Sequence, residues 1–352
     1  AIGTVADIVP LWDENRILVH YGCTTSLPQR PTLGLACLQS LASQSRNGKT
    51  DSEWIAFQLA PRINAVGRLG QASLAVELLV TEKEDRATEL ATYINSLNDQ
   101  RKSLEQSIYL RALRQIKEQY DAENDPAFVL ADTDWHQGVI GIVAGRLAEK
   151  YHRPVILISL SKTGGKLAVG SARSIPGLHL HQALTACAHH LERFGGHAQA
   201  AGLTIAEQNI ATFRHEFCQY VADNFDREKN LAELRIDCEF PLGVFTVDVV
   251  EQIERLAPFG MGNPRPIMCC GNVTLAEPPR AVGQGQQHLA LRVQQSGTIM
   301  RAVAFGAGER VHELECGRPF DLAFRPVISE YNSLRRVELH VVDWRRPEDR
   351  SE

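Results

Sequence analysis

The chain has 352 residues, with 37 Lys and Arg against 42 Asp and Glu and a formal net charge of −5. That length allows two or three domains with separate cores, and the acidic balance argues against indiscriminate nucleic-acid binding while leaving room for a local basic groove. No apolar run approaches the ~20 residues that cross a bilayer, no signal-peptide pattern opens the chain, and the eight cysteines show no Cys-x-x-Cys spacing. Together these predict a reducing cytoplasm and neither a zinc knuckle nor a disulfide framework. The basic residues are 29 Arg and 8 Lys, a bias that suits bidentate phosphate contacts and is equally well explained by GC-rich coding.

Residues 3–11 read as a loop feeding an apolar edge, with Asp7 the single acid before Asp13. Such a carboxylate is either a hard oxygen ligand for Mg²⁺ or Mn²⁺ or a turn cap, and the residues alone favour the cap. Residues 33–46 and 52–61 have helical spacing, the second ending at Pro61 because Ala60 is pushed out of the helical region. Arg62, Asn64 and Arg68 follow around an Asn-Ala-Val-Gly turn. Their guanidinium groups either grip a phosphodiester backbone or form salt bridges at a helix junction. From 74 to 119 apolar residues recur at three- and four-residue steps, and 98–119, free of Gly and Pro, reads as a polar helix bridging two domains or a solvated arm.

The next stretch alternates. Residues 127–130, 155–159 and 166–173 read as strands, and 139–150 and 181–192 as helices, which is α/β spacing. Trp135-His136-Gln137-Gly138 falls on a strand-to-helix turn, where ligands of α/β folds bind. Trp135 offers a stacking face for a base or belongs to the core; His136 is a ligand contact or a cap. Arg173 and Ser174 end a strand that can converge on the same mouth, Arg173 as a phosphate grip or a surface ion pair. His179 and His181 lack a carboxylate or Cys to complete a zinc site.

The run 194–205, Phe-Gly-Gly-His-Ala-Gln-Ala-Ala-Gly-Leu-Thr-Ile, packs small residues around one polar side chain. Gly195 and Gly196 are expected to open a short helix as a phosphate seat, with His197 adding a donor in its first turn. The alternative is close helix–sheet packing with His197 hydrogen-bonded in the core. Residues 207–225 are helical and 226–230 a linker. After it the pattern turns to short strands at 235–240, 267–275, 289–294, 299–305, 319–325 and 337–342, with a helix at 247–256 and a rigid Pro- and Gly-rich loop at 258–266. Five or six such strands predict a small closed barrel of OB type, which binds single strands through Arg and aromatic side chains. Arg280, Arg292, Arg301 and Tyr331 are the candidates for that face.

Gly-Gly-His-Ala-Gln-Ala-Ala-Gly resembles the signature of the DHH-associated domain of the DHH phosphoesterase superfamily. Residues 3–11, Gly-Thr-Val-Ala-Asp-Ile-Val-Pro-Leu, 60–69, Ala-Pro-Arg-Ile-Asn-Ala-Val-Gly-Arg-Leu, and 135–142, Trp-His-Gln-Gly-Val-Ile-Gly-Ile, point to its RecJ branch of single-strand DNA exonucleases. The four motifs stand in the family's order and cover nearly the whole chain. The Asp-His-His triplet is absent; the adjacent pair His189-His190 follows Ala188 and does not replace it.

The resemblance implies an α/β and β architecture: the end of a DHH catalytic domain at 1–97, a connecting helix at 98–120, an α/β DHH-associated domain at 121–226, and an OB-like nucleic-acid-binding domain at 231–346. It implies Asp7 as a ligand of a two-metal Mn²⁺ or Mg²⁺ site that is incomplete here. Arg62, Asn64 and Arg68 would line the active cleft, and Trp135, His136, Arg173, Ser174, Gly195, Gly196 and His197 would form a single-strand track. The activity implied is 5′→3′ degradation of single-stranded DNA in repair and recombination, with this chain inactive by itself. Implied partners are single-stranded DNA, a single-strand-binding protein and a helicase, for a cytoplasmic monomer without membrane attachment. Two other readings are a binding module without catalysis and a DHH-family phosphodiesterase acting on short oligonucleotides or cyclic dinucleotides.

Overall fold

A computed structural model describes residues 1–42, 50–161, 167–226, 233–331 and 334–346. It divides into two compact units, Ala1–Pro61 with Leu234–Glu352, and Arg62–Glu233.

The amino-terminal segment carries α1 (Ile2–Ala6), α2 (Asp13–Tyr21), α3 (Leu27–Gln29), α4 (Leu33–Leu41) and α5 (Ser52–Trp54). The loop expected at 3–11 therefore begins as a helical turn, which Asp7 closes by donating its N–H to Gly3 O at 2.9 Å. The helix expected at 33–46 ends at Leu41, and residues 43–46 lie outside the described ones. The break expected at Pro61 does not occur. A π-helical turn, Ile55–Leu59, runs into α6 (Ala60–Arg68), so the Asn-Ala-Val-Gly segment is helix and not turn. Pro61 lies just past the π-helical turn, so the helical run passes through it and does not start there.

In the second unit, α7 (Ala72–Val80) precedes α8 (Glu84–Gln119), 36 residues and about 54 Å long at 1.5 Å per residue. The expected polar helix thus starts at Glu84, fourteen residues before 98. Its buried positions Ala87, Leu90, Ala91, Ile94, Leu97, Asn98 and Arg101 keep the three- and four-residue step. Ile108, Ala112 and Ile116 then join the core of the α/β sheet.

That sheet has the order β1-β2-β3-β5-β4, from β1 (Phe128–Asp132), β2 (Val155–Ser159), β3 (Leu167–Arg173), β4 (Leu191–Gly196) and β5 (Ala200–Ala206). β1 and β2 pair in parallel across α9 (Ile140–Tyr151), and the remaining pairs are antiparallel. β1 and β2 are buried on both faces, as their unbroken apolar runs require. α10 (Leu180–Ala186) is shorter than the helix expected at 181–192, because residues 191 and 192 already belong to β4. α11 (Ile210–Asn224) closes the unit, burying Phe213, Phe217 and Val221.

The carboxy-terminal region holds α12 (Val247–Glu254) and seven strands: β6 (Cys238–Glu239), β7 (Met268–Leu275), β8 (Arg280–Val282), β9 (His288–Gln295), β10 (Thr298–Ala304), β11 (Phe320–Tyr331) and β12 (Leu334–Arg345). Their order is β6-β7-β11-β12-β10-β9-β8, and a further pairing of β7 with β9 closes five of them into a barrel. Leu289, Leu291 and Val293 point inward with Ala302, Ala304, Leu322, Phe324 and Leu339. The intervening positions therefore face out, since successive strand residues alternate. Sequence reading missed β8, and it found only the first half of β11 and the middle of β12. The loop at 258–266 is held to the amino-terminal segment: Leu11 N–H donates to Met261 O at 2.7 Å and Ser52 Oγ to Phe259 O at 2.6 Å. Arg265 stacks 4.4 Å over the Phe259 ring and pairs with Glu53 and Glu254.

Candidate nucleic-acid interface

The turn between β1 and α9 is built around His136, whose Nδ1 accepts the Gly138 N–H at 3.1 Å while its carbonyl accepts from Val139 and Ile140. His136 thus closes the turn before α9, whose N-cap position is Val139 without a side-chain cap. Two arginines converge on this helix start. Arg68, at the end of α6, donates Nη1 to Gly138 O at 3.4 Å. Arg173, at the end of β3, lies along α9: a Cβ on Gly141 would stand 3.1 Å from its Nη2 and 2.8 Å from Ser171 Oγ. Gly138 is equally obligatory, because a Cβ there would strike the Arg68 carbonyl. The glycines of Trp-His-Gln-Gly-Val-Ile-Gly are what let both guanidinium groups approach the helix.

Electrostatically this is a positive seat. Burial lowers the Arg173 guanidinium pKa from its ordinary value, and the Arg68 charge adds to that. Burial does the same to Arg68, with Arg101 as its positive neighbour and Glu105 opposing. Glu105 is itself engaged by Arg101 at 2.7 Å and Arg146 at 2.8 Å. Arg173 donates only to Ser171 Oγ and the Ala172 carbonyl, and among the described residues neither Arg68 nor Arg173 has a carboxylate at ion-pair distance. Two partly exposed cations beside a helix N-terminus, without an ion pair among the described residues, favour a bound anion.

Several expected contacts fall elsewhere. Trp135 is 3% exposed within the sheet core and presents no face to a base. Arg62 is 5% exposed and donates Nε to Asn95 Oδ1 at 2.9 Å, a helix-packing role. Asn64 is exposed on α6. Ser174 Oγ is committed to the Leu178 carbonyl at 2.8 Å. The glycine pair does not open a helix: Gly195 and Gly196 end β4, and His197 lies in the turn to β5, with Gly196 opposite Ala201. Gly196 has φ +145°, and its missing Cβ would lie 2.6 Å from Ala201 Cα. The hairpin's own backbone thus fills the space that was expected to hold a phosphate. His197 stays exposed, its Nδ1 accepting from Gln199 N at 3.3 Å, so it is not a core histidine either. Gly195 has open space where a Cβ would be.

On the barrel, strand register gathers three of the four candidates. Arg292 on β9 lies directly opposite Arg301 on β10, which is opposite Glu338 on β12; Arg280 on β8 pairs with Ala290, on the same outward face. Like charges directly opposed are unfavourable unless something anionic shares them. Arg280 pairs with Glu277 at 3.1 Å, while Arg292 and Arg301 reach their acids only loosely, Glu277 at 3.8 Å and Glu338 at 4.0 Å. A groove of about 780 Å³ runs here, lined among others by Phe245, Arg292, Ile299, Arg301 and Arg336. The side chain of Tyr331 lies outside the described residues.

An aromatic cluster that sequence reading missed adjoins this face. The Phe305 ring meets His288 edge-on at 5.3 Å and His340 at 5.1 Å, and Phe305 is 47% exposed. Arg325 lies opposite His340. His288 and His340 stand on different strands, and their meeting at Phe305 needed the strand order.

Asp7 is exposed at the end of α1. Among the described residues no group of three His, Cys, Asp or Glu side chains includes it. A lone carboxylate does not make a two-metal centre, so Asp7 could fill at most one ligand position of such a site. Among the described residues no helix is long and apolar enough to cross a membrane.

The DHHA1 domain family matches residues 124–223, and the RecJ OB domain family matches residues 236–343. The chain is 36% identical to the single-stranded-DNA-specific exonuclease RecJ of Haemophilus influenzae, over 99% of this chain and 61% of that protein. The Bacillus subtilis enzyme of the same name is 34% identical over 97% of this chain and 43% of its own length. The chain thus spans less than two thirds of these relatives. Among solved structures, RecJ from Thermus thermophilus in complex with Mn²⁺ superposes with a TM-score of 0.81 at 31% identity, covering 98% of this chain and 49% of that one. Its Mg²⁺ complex gives 0.79 at 30% identity, covering 98% and 51%.

Proposed function

The chain belongs to the RecJ family, whose DHHA1 and OB domains it carries, and from that premise we propose that it is the strand-holding part of a metal-dependent 5′→3′ exonuclease for single-stranded DNA. The observation that carries this reading is the Arg68–Arg173 pair at the start of α9, two cations beside a helix N-terminus with no ion pair among the described residues. A phosphodiester there receives charge-assisted hydrogen bonds from two planar forks. His197 and the Gly195 side of the hairpin flank the route. The barrel adds a second contact: Arg280, Arg292 and Arg301 meet phosphates, and Phe305 between its two histidines offers a stacking surface, with Tyr331 as the other aromatic candidate.

In this reading residues 1–97 are the end of the DHH catalytic domain, 98–120 the connecting segment, 121–226 the DHH-associated domain and 231–346 the OB domain. The metal is Mn²⁺ or Mg²⁺, supported by the two metal complexes of the Thermus relative. Asp7 would contribute one ligand, and the chain by itself would not cleave. A cytoplasmic location belongs to the same proposal, in keeping with eight cysteines that show no Cys-x-x-Cys spacing. The proposal extends to a monomer that works in repair and recombination with a single-strand-binding protein and a helicase. A second reading, single-strand binding without catalysis, is favoured by the lone Asp7. Fluorescence anisotropy with a labelled single strand and the matching duplex tests both: tighter single-strand binding with a marked salt slope is expected, and equal binding of the two forms would defeat the proposal.

A further inference from the structure

We propose that His189, His190 and Glu216 bind a divalent transition metal of borderline softness, Zn²⁺ above all, on the α/β unit. The two histidines end a single 3₁₀ turn, Ala188–His190, immediately before β4, and Glu216 lies on α11. Both imidazoles aim the same atom at one carboxylate oxygen: His190 Nε2 lies 2.6 Å and His189 Nε2 3.0 Å from Glu216 Oε2. Among the described residues this is the one group of three His, Cys, Asp or Glu side chains whose ligand atoms all fall within 4.8 Å of one another. Ligand atoms around a tetrahedral zinc ion stand roughly 3.3 Å apart, given bonds of about 2.0–2.1 Å. An ion between them therefore asks the two His–Glu contacts to widen by about 0.7 and 0.3 Å.

The surroundings orient His190 as a ligand. Thr212 Oγ1 donates to Asn209 O at 2.9 Å, so toward His190 Nδ1, 3.5 Å away, it offers a lone pair. Asn209 Nδ2 donates to the His190 carbonyl at 3.3 Å and fixes the backbone. Nε2, on the other side of the ring, stands 2.6 Å from the carboxylate oxygen, where a ligand nitrogen beside that oxygen would lie. A hydroxyl or carbonyl holding the second nitrogen is how metal-binding imidazoles are aligned. A cavity of about 600 Å³ opens beside the group, lined by His190, Thr212, His215 and Gln219, and leaves room for water on the ion. Two imidazoles and one carboxylate suit zinc, whereas Mg²⁺ prefers oxygen ligands. Bound there, zinc fastens α11 to the turn that leads into β4, the strand that ends at Gly196.

The test is calorimetric titration of the chelator-stripped full chain with Zn²⁺ and separately with Mg²⁺, alongside His189→Ala, His190→Ala and Glu216→Ala. The expected result is one zinc per wild-type chain at this site, weakened on the order of a hundredfold or more in each variant, beyond the ten- to hundredfold seen for supporting partners. Zn²⁺ should also raise the wild-type melting midpoint and not that of the variants, and Mg²⁺ should not compete. His189 is 61% exposed, so its variant keeps the fold even if Glu216→Ala does not. Zinc uptake that is absent in the wild type, or equal in stoichiometry and affinity in wild type and His189→Ala, overturns the proposal.

Discussion

Replacing Arg173 by Ala separates binding from packing at the start of α9. The native side chain makes two internal donations, to Ser171 Oγ at 3.3 Å and to Ala172 O at 2.8 Å, each contributing about 0.5–1.5 kcal/mol net. Against that loss, the variant removes a partly buried cation whose neighbour Arg68 is also positive. The two effects offset, so the melting midpoint should move by less than about 4 °C, the shift about 1 kcal/mol produces in a domain of this size. Binding has no such offset. Losing a charge-assisted hydrogen bond to a phosphate costs about 1.5–3 kcal/mol, which is roughly ten- to over a hundredfold in Kd. One phosphate fewer neutralised also flattens the slope of log K against log salt by about 0.7 for a single strand. Arg173→Lys should fall between, because it keeps the charge and loses the fork. The assay is anisotropy with a 5′-labelled oligonucleotide over a salt series, paired with melting curves. An unchanged affinity and slope would refute the reasoning, as would an affinity loss explained by a large fall in the midpoint.

The hairpin gives a contrasting pair: Gly196→Val should destabilise by about 1–3 kcal/mol or more, from its φ of +145° and the 2.6 Å approach to Ala201 Cα, whereas Gly195→Ala stays within about 0.5 kcal/mol; equal midpoints would contradict the hairpin geometry. Phe305→Ala should weaken single-strand binding by about 1–3 kcal/mol with little change in stability, and normal titration curves would remove the stacking role. The 352-residue chain with Mn²⁺ should release no nucleotides from a 5′-labelled single strand, since Asp7 stands alone among the described residues; degradation that scales with purified protein would show otherwise. Burial pushes the Cys187 and Cys270 thiols up to about 12 and those of Cys23 and Cys218 to about 11, from an ordinary 9.0. The folded state then keeps protons that the unfolded state releases above about pH 9, so the associated stability is intact at about pH 8 and is lost as pH rises toward about 12. Urea midpoints at about pH 8, 9.5 and 11 should fall accordingly, less steeply in Cys187→Ala; parallel profiles would reject the assignment.

Sequence by itself determined whatever depends on local pattern. The apolar runs at 127–130 and 155–159 read as strands, the three- and four-residue step read as helix, and the short strands from residue 235 onward read as a small barrel. Motif order identified the RecJ resemblance before any coordinate. Tertiary structure decided what depends on distant partners. Residues 194–205 carry enough Gly and Ala for either a helix start or a hairpin, and the pairing of β5 with both β3 and β4 selected the hairpin, because a strand's hydrogen bonds are supplied by other segments. Trp135 and Arg62 looked available for DNA, but burial is set by which surfaces meet, and both are covered. Nothing near Pro61 announced that a π-helical turn would carry the chain into α6. Phe305 came to lie between His288 and His340 through the order β12-β10-β9. Arg68 and Arg173, 105 positions apart, became one positive seat because α6 and β3 end at the same helix start, with two glycines between them small enough to let both arrive.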